Sequence, residues 1–222
     1  MAVRHHAYGF DPLAYLTSVR RSCLVGGELQ LEELRAQAEA IARTARGTSH
    51  DVLVYLRYDE EEWLPPPEAE PAWRQWLILL LVPHLAPLTS LSHREPHGYA
   101  ALDRVLLFAG WTRPEVDLLI RGESLDTLPG KAGVAMPSTL FRQLRQYGGW
   151  IDSGTAARLR LGLERVRWHF LQPGEPERHA LGNWMQGEPE RAGQVLAGAF
   201  QDAVDMLQGA SGDGQALFVV FE

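Results

Sequence analysis

The chain has 222 residues, 45% of them hydrophobic and seven of them Trp, enough to bury a substantial core as a single domain over 1–222, with any sub-division falling near 125–138. A formal net charge of -7 and a pI near 5.6 argue against the global basic character on which sequence-independent nucleic-acid binding draws, and favour basic partners instead. The longest strongly apolar run, Trp76 to Val82, is far below the roughly 20 residues a helix needs to cross a bilayer, and residues 1–10 lack the apolar core of a signal peptide; the expectation is a cytoplasmic chain without a membrane span.

Residues 1–10 carry no helical period and read as an opening strand, after which Asp11 and Pro12 have the chemistry of an N-cap and a first helical residue. A short helix is predicted to about Ser22, broken by Gly26 and Gly27. Leu31, Leu34, Ala38, Ile41 and Ala45 recur at helical spacing and predict a second helix that Gly47 ends. The run Asp51–Asp59 fits either a strand or a helix capped by Ser49, because so short an apolar pattern does not separate the two. Pro65, Pro66 and Pro67 then make a stiff extended segment. Pro71 opens a buried helix through Trp73, Trp76, Leu77 and Leu80 that Pro83 and Pro87 terminate, and 88–98 reads as a loop.

A helix with Leu102, Val105, Leu106 and Ala109 inward leads to a turn at Gly110 and Trp111 and to a second helix, where Thr112 and Glu115 have the spacing of a capping box. The pattern echoes further on: Tyr147, Gly148, Gly149 and Trp150 precede Asp152 and another helix, so one kind of αα-hairpin is expected twice. Residues 125–138, rich in Gly and Pro, and 172–188 read as loops. Pro189 starts a helix with Leu196, Phe200, Ala203 and Leu207 inward, closed by Gly209. The final run, Ala216 to Glu222, is a strand too apolar to stay unpaired, with the opening segment or the Val52 stretch as its mate. The fold class predicted is α+β and predominantly α-helical: a bundle of αα-hairpins with a small sheet formed by terminal strands.

The helix predicted over 153–170 organises the rest. Ala156, Leu159, Leu163, Val166 and Phe170 fall on one side of it, as a core-facing stripe requires, and Ala157, Leu161 and Trp168 fall roughly opposite. Two rows of arginine, Arg158 with Arg165 and Arg160 with Arg167, separate the stripes. An ordinary surface helix has one apolar face. Either this helix crosses the middle of the domain with its arginines reaching out at the edges, or Leu161, Trp168, Arg160 and Arg167 form a second face for a partner or another copy, since Trp and Arg anchor interfaces.

Few constellations carry chemistry. His84, His93 and His97 invite a metal reading, but Pro96 removes the helix that would put two imidazoles on one face, so no metal site and no cofactor are expected. His169 and His179 lie near Glu175 and Glu177, and would need an orienting partner and a cleft to act as acid or base. Cys23 is the single cysteine, cannot form an intrachain disulfide, and fits a small buried apolar residue better than a nucleophile. The pair His5 and His6 reads as a surface feature. The 102–122 turn unit resembles a helix-turn-helix only superficially, because Glu115 and Asp117 offset Arg113 and Arg121. The Arg-rich region 138–170 has the interleaved aromatics of a single-strand binder, but its helical arginines occupy opposed rows.

The function therefore reads as non-enzymatic protein interaction, with an immunity or antitoxin-like binder of a basic protein as the concrete form. A hydrolase or transferase with a histidine-containing site, and a nucleic-acid-binding protein using 138–170, are the alternatives. Self-association fits the second face; nucleic acid and membrane do not fit the charge or the hydropathy.

Overall fold

The computed structural model describes residues 5–26, 28–45, 72–91, 93–94, 98–136, 141, 148–181, 189–212 and 215–221. Its helices are α1 (Pro12–Cys23), α2 (Leu31–Ala45), α3 (Ala72–Leu79), α4 (Gly98–Phe108), α5 (Arg113–Arg121), α6 (Leu128–Lys131), α7 (Ser153–Val166), α8 (Trp168–Leu171), α9 (Glu175–Ala180) and α10 (Pro189–Gly212). Its strands are β1 (His5–Phe10), β2 (Leu24–Val25), β3 (Glu28–Leu29), β4 (Leu85–Leu88), β5 (Glu123–Ser124), β6 (Gly149–Ile151) and β7 (Ala216–Phe221). The fold is mixed α+β and mainly helical. Neither the run Asp51–Asp59 nor the Pro65–Pro67 segment lies within the described residues.

The chain divides into two compact units, one made of 1–9, 86–123 and 149–222, the other of 10–85 and 124–148. A five-stranded sheet of order β4-β1-β7-β6-β5 belongs to the first unit but for strand ends at the boundaries. The last strand is central, as its apolarity requires: it lies between the opening strand and β6, pairing antiparallel with the latter at Gly149↔Val219, Trp150↔Phe218 and Ile151↔Leu217. Against Ala7, Ile151, Leu217 and Val219 pack the apolar faces of α4, α5, α7 and α10. Asp152 caps α7, accepting the Thr155 N–H and hydroxyl at 2.8 Å each.

In the second unit, α1 begins as the sequence predicts, with Asp11 accepting the N–H groups of Leu13 and Ala14 at 2.9 and 3.0 Å. Tyr15 is fully buried, its hydroxyl donates to the Leu77 carbonyl at 3.0 Å, and its ring meets His84 and Phe141 edge-on, each at 6.3 Å. The inner face of α2 is Leu34, Ala38 and Ala42; Leu31 is exposed and Ile41 half-buried, so the stripe follows the steeper row of fours rather than the alternation of threes and fours.

Several expectations need correction. Trp150 sits in a strand, so the turn predicted for the second αα-hairpin is corrected, while the helix predicted before it lies outside the described residues; hydrogen bonds with β7, not the local pattern, decide Gly149–Ile151. Leu85–Leu88 is the edge strand β4 instead of a break, and Pro87 is tolerated there because an edge strand has backbone groups that need no neighbour. Residues 125–138 are not simply a loop: β5 precedes a 3-10 turn at Leu125–Thr127 and α6, with Leu125 and Leu128 buried. Gly122 admits this strand, since its φ of +70° suits glycine and a Cβ there would lie 2.6 Å from the Trp150 nitrogen. The helix from Pro189 runs past Gly209 to Gly212.

Candidate functional site

The predicted core stripe of α7 is in place: Ala156, Leu159 and Leu163 are buried, and Phe170, just beyond, stacks at a tilt on Phe200 of α10 with centroids 5.6 Å apart. The helix ends at Val166 and restarts as α8 at Trp168. Arg167 between them keeps helical dihedrals, φ -51° and ψ -32°, so the phase of the side chains carries across the break.

The opposite stripe is not core. Leu161 is 57% and Trp168 53% exposed, and Leu171 and Phe108 are exposed as well. The Arg167 guanidinium lies over the Trp168 ring, 4.7 Å from its centre, a cation–π contact. Arg160 is half-buried. Of the four residues singled out in the sequence, the fold brings Arg167 and Trp168 together and leaves Leu161 two turns earlier on the same side of the helix.

The other arginine row borders a groove. About 360 Å³ in volume, it runs between the α4–α5 turn, with Gly110, Trp111, Glu115 and Leu118, and α7, with Arg158, Leu159, Gly162, Arg165 and Val166. Gly162 lets the Trp111 ring lie on the helix: a Cβ at that position would be 2.8 Å from Trp111 Cζ2. Arg158 gives one N–H to the Thr155 hydroxyl at 3.0 Å. Neither Arg158 nor Arg165 has a carboxylate within ion-pair distance among the described residues. Glu115 is spent on the helix start, where its Oε2 accepts the Thr112 N–H at 2.8 Å and the Thr112 hydroxyl at 2.6 Å, bonds that hold its pKa below the usual carboxylate range. The sequence signal for this groove was Trp111 directly after the turn glycine, with a glycine in the facing side of an otherwise bulky helix.

Of the three histidines of the metal reading, His84 and His93 lie within the described residues. His93 is exposed, and His97 lies outside the described residues. His84 is half-buried, which pushes its pKa down, while Asp11 pulls it up. Among the described residues no three His, Cys, Asp or Glu side chains could share an ion. What orders the start of the histidine loop is Arg94: its guanidinium pairs with the fully buried Asp202 and, at 2.9 Å, with Asp205, and its backbone N–H donates to Asp202 at 2.9 Å.

His169 does find an orienting carboxylate, Glu177, at 2.7 Å, and its ring meets Phe108 edge-on at 5.8 Å. Burial pushes the Glu177 carboxyl up, but hydrogen bonds from His169 and from backbone amides outweigh it and hold the pKa low. His179 is exposed, and neither histidine lines the groove. Cys23 is buried, and burial pushes its thiol to about 11. In the helix-turn-helix-like unit, Arg113 pairs with Asp103 and, at 3.7 Å, with Asp117, leaving little for phosphate. Arg142 and Arg145 lie outside the described residues.

Comparison of the chain with protein-family models, with curated proteins and with solved structures finds no match in any of the three.

Proposed function

We propose that the chain is a protein-interaction module whose contact surface is the outward face of α7 and α8, centred on Leu161 and Trp168 and flanked by Arg160 and Arg167. The observation that carries the reading is that a large leucine and a tryptophan on the second apolar stripe stand more than half exposed. Hydrophobic side chains of this size, with an arginine stacked on the indole, are the usual anchors of interfaces.

The charge of this face refines the partner. Residues 153–171 carry Arg158, Arg160, Arg165 and Arg167 against Glu164 alone, opposite in sign to the chain as a whole. A partner bearing carboxylates around an apolar anchor fits this face better than a basic one. An immunity or antitoxin-like role toward a basic protein would have to use the acidic surplus elsewhere, and α7 lends it no support.

The test is light scattering after size exclusion on the wild type, Leu161→Ala and Trp168→Ala, with thermal unfolding followed by circular dichroism. Truncating exposed side chains is expected to leave stability within about 0.5 kcal/mol and to abolish any complex the wild type forms. Destabilisation by about 2–5 kcal/mol, the cost of large-to-small changes in a core, would show the face to be buried and end the reading.

A further inference from the structure

We infer that the groove between Trp111 and α7 is the part of this interaction surface that selects the partner, by accepting an acidic peptide segment whose apolar side chain rests on Trp111 and Leu118 while its carboxylates meet Arg158 and Arg165. The inference rests on the preceding reading and gives it a ligand chemistry.

Going round α7 at about 100° per residue, Arg158 and Arg165 stand between the exposed stripe of Leu161 and Trp168 on one side and Gly162, at the groove floor, on the other. The groove and the exposed stripe are thus neighbours, joined by this one arginine row. The two arginines are seven residues apart, about 10.5 Å along the axis. That is the spacing of carboxylates two turns apart on one face of a partner helix.

Charge complementarity chooses the occupant. Both guanidiniums at the groove are without a carboxylate among the described residues, whereas Arg35 has one and Arg94 and Arg113 have two each. Glu115, the one acid in the lining, stays ionised with its Oε2 held by Thr112, so the lining keeps two guanidiniums against one carboxylate and a positive balance. The apolar lining, Leu118, Leu159, Val166 and the face of Trp111, asks for a side chain as well as a charge. Nucleic acid would meet only two cations beside a carboxylate, on a chain of net charge -7.

Fluorescence anisotropy of a fluorescein-labelled helical peptide with Glu seven residues apart and a Leu four residues after the first Glu, on the same face, tests the inference, with the Gln-for-Glu peptide and labelled oligo-dT as controls. The wild type should bind the acidic peptide, more weakly as salt rises. Arg158→Gln/Arg165→Gln should weaken binding about ten-fold or more, while Arg20→Gln/Arg43→Gln, which removes the same charge from exposed positions of the second unit, changes it less than about two-fold. Gly162→Leu, which fills the groove, should also lose binding; the arginine variants keep the test decisive if that variant does not fold.

No binding by the acidic peptide, equal loss in both arginine pairs, or oligo-dT binding with the same arginine dependence would each overturn the inference. So would a wild-type dimer that dissociates in Arg158→Gln/Arg165→Gln, which would put a second copy's carboxylates in the groove. Association that depends on Leu161 and Trp168 but takes no acidic peptide would remove the acidic selectivity and leave the interaction module standing.

Discussion

His5 ties together three segments of the first unit. Its Nε2–H donates to the Ile120 carbonyl at 2.9 Å, and its Nδ1 accepts the Leu91 N–H at 3.3 Å, an arrangement only the neutral ring can make. Burial holds its pKa at about 3. In the unfolded chain an imidazole titrates near 6.5, so the unfolded state takes up the proton first as pH falls. The stabilisation from neutral His5 is therefore complete above about pH 6.5 and is lost progressively down to about pH 3. Urea unfolding of the wild type should lose up to a few kcal/mol between pH 6.5 and 4 in excess of the loss seen for His5→Gln. Parallel profiles would mean that the ring takes up its proton in the fold as readily as in the unfolded chain. Cys23 offers a simpler check: with its thiol buried and protonated at neutral pH, a disulfide reagent should label it only after denaturant is added. Labelling of the native protein at the rate of a free thiol would contradict the structure. The sequence suggested the state of Cys23 but read His5 as surface. Burial of a histidine depends on which strands flank it, and β1 is an inner strand of the sheet.

Among elements, those with strong local chemistry were legible: α1 from Asp11 and Pro12, α5 from Thr112 and Glu115, and the core stripe of α7 from its period. Removing such a signal has a calculable effect. Thr112→Ala should cost about 1 kcal/mol, the usual worth of a helix cap, while leaving the peptide groove formed. Among the elements that were missed, which include β2, β3, β5, α6 and the helix α9 within the predicted 172–188 loop, β4 and β6 are short and acquire their structure from distant partners. Gly149–Ile151 has the local look of a glycine turn and becomes a strand because it lies alongside Leu217–Val219. The clamp on the histidine loop is likewise non-local, joining Arg94 to α10. Asp202 is fully buried, so Arg94→Ala leaves its Oδ1 without the guanidinium, the backbone N–H on Oδ2 alone remaining, and should destabilise the fold by about 1–3 kcal/mol. Adding zinc should not restore that loss. Restoration by zinc would mean that the loop's histidines do form a site, with the arginine only incidental to it. The candidate surface was half legible: amphipathicity placed Leu161 and Trp168 on a second face, but only the packing of Trp111 on Gly162 assigns the other arginine row to a groove.

For the whole molecule, charge and exposed apolar surface act against each other. At neutral pH the net charge of -7 keeps copies apart. Near the pI of about 5.6 that repulsion vanishes, while Leu161, Trp168 and Leu171 remain exposed and the four arginines of residues 153–171 remain charged. Copies can then associate through this face, arginines against the carboxylates of a neighbour that are still ionised. Light scattering measured against pH should therefore peak close to 5.6 in low salt and fall when salt is added, because the attraction is between exposed charges. Leu161→Ser/Trp168→Ser changes no charge and so leaves the pI in place. If the α7–α8 face drives association, the peak should shrink in this variant at an unchanged pH. A peak of undiminished height would place the sticky surface elsewhere. A peak that grows with salt would make the contact apolar alone, with no part for the arginines.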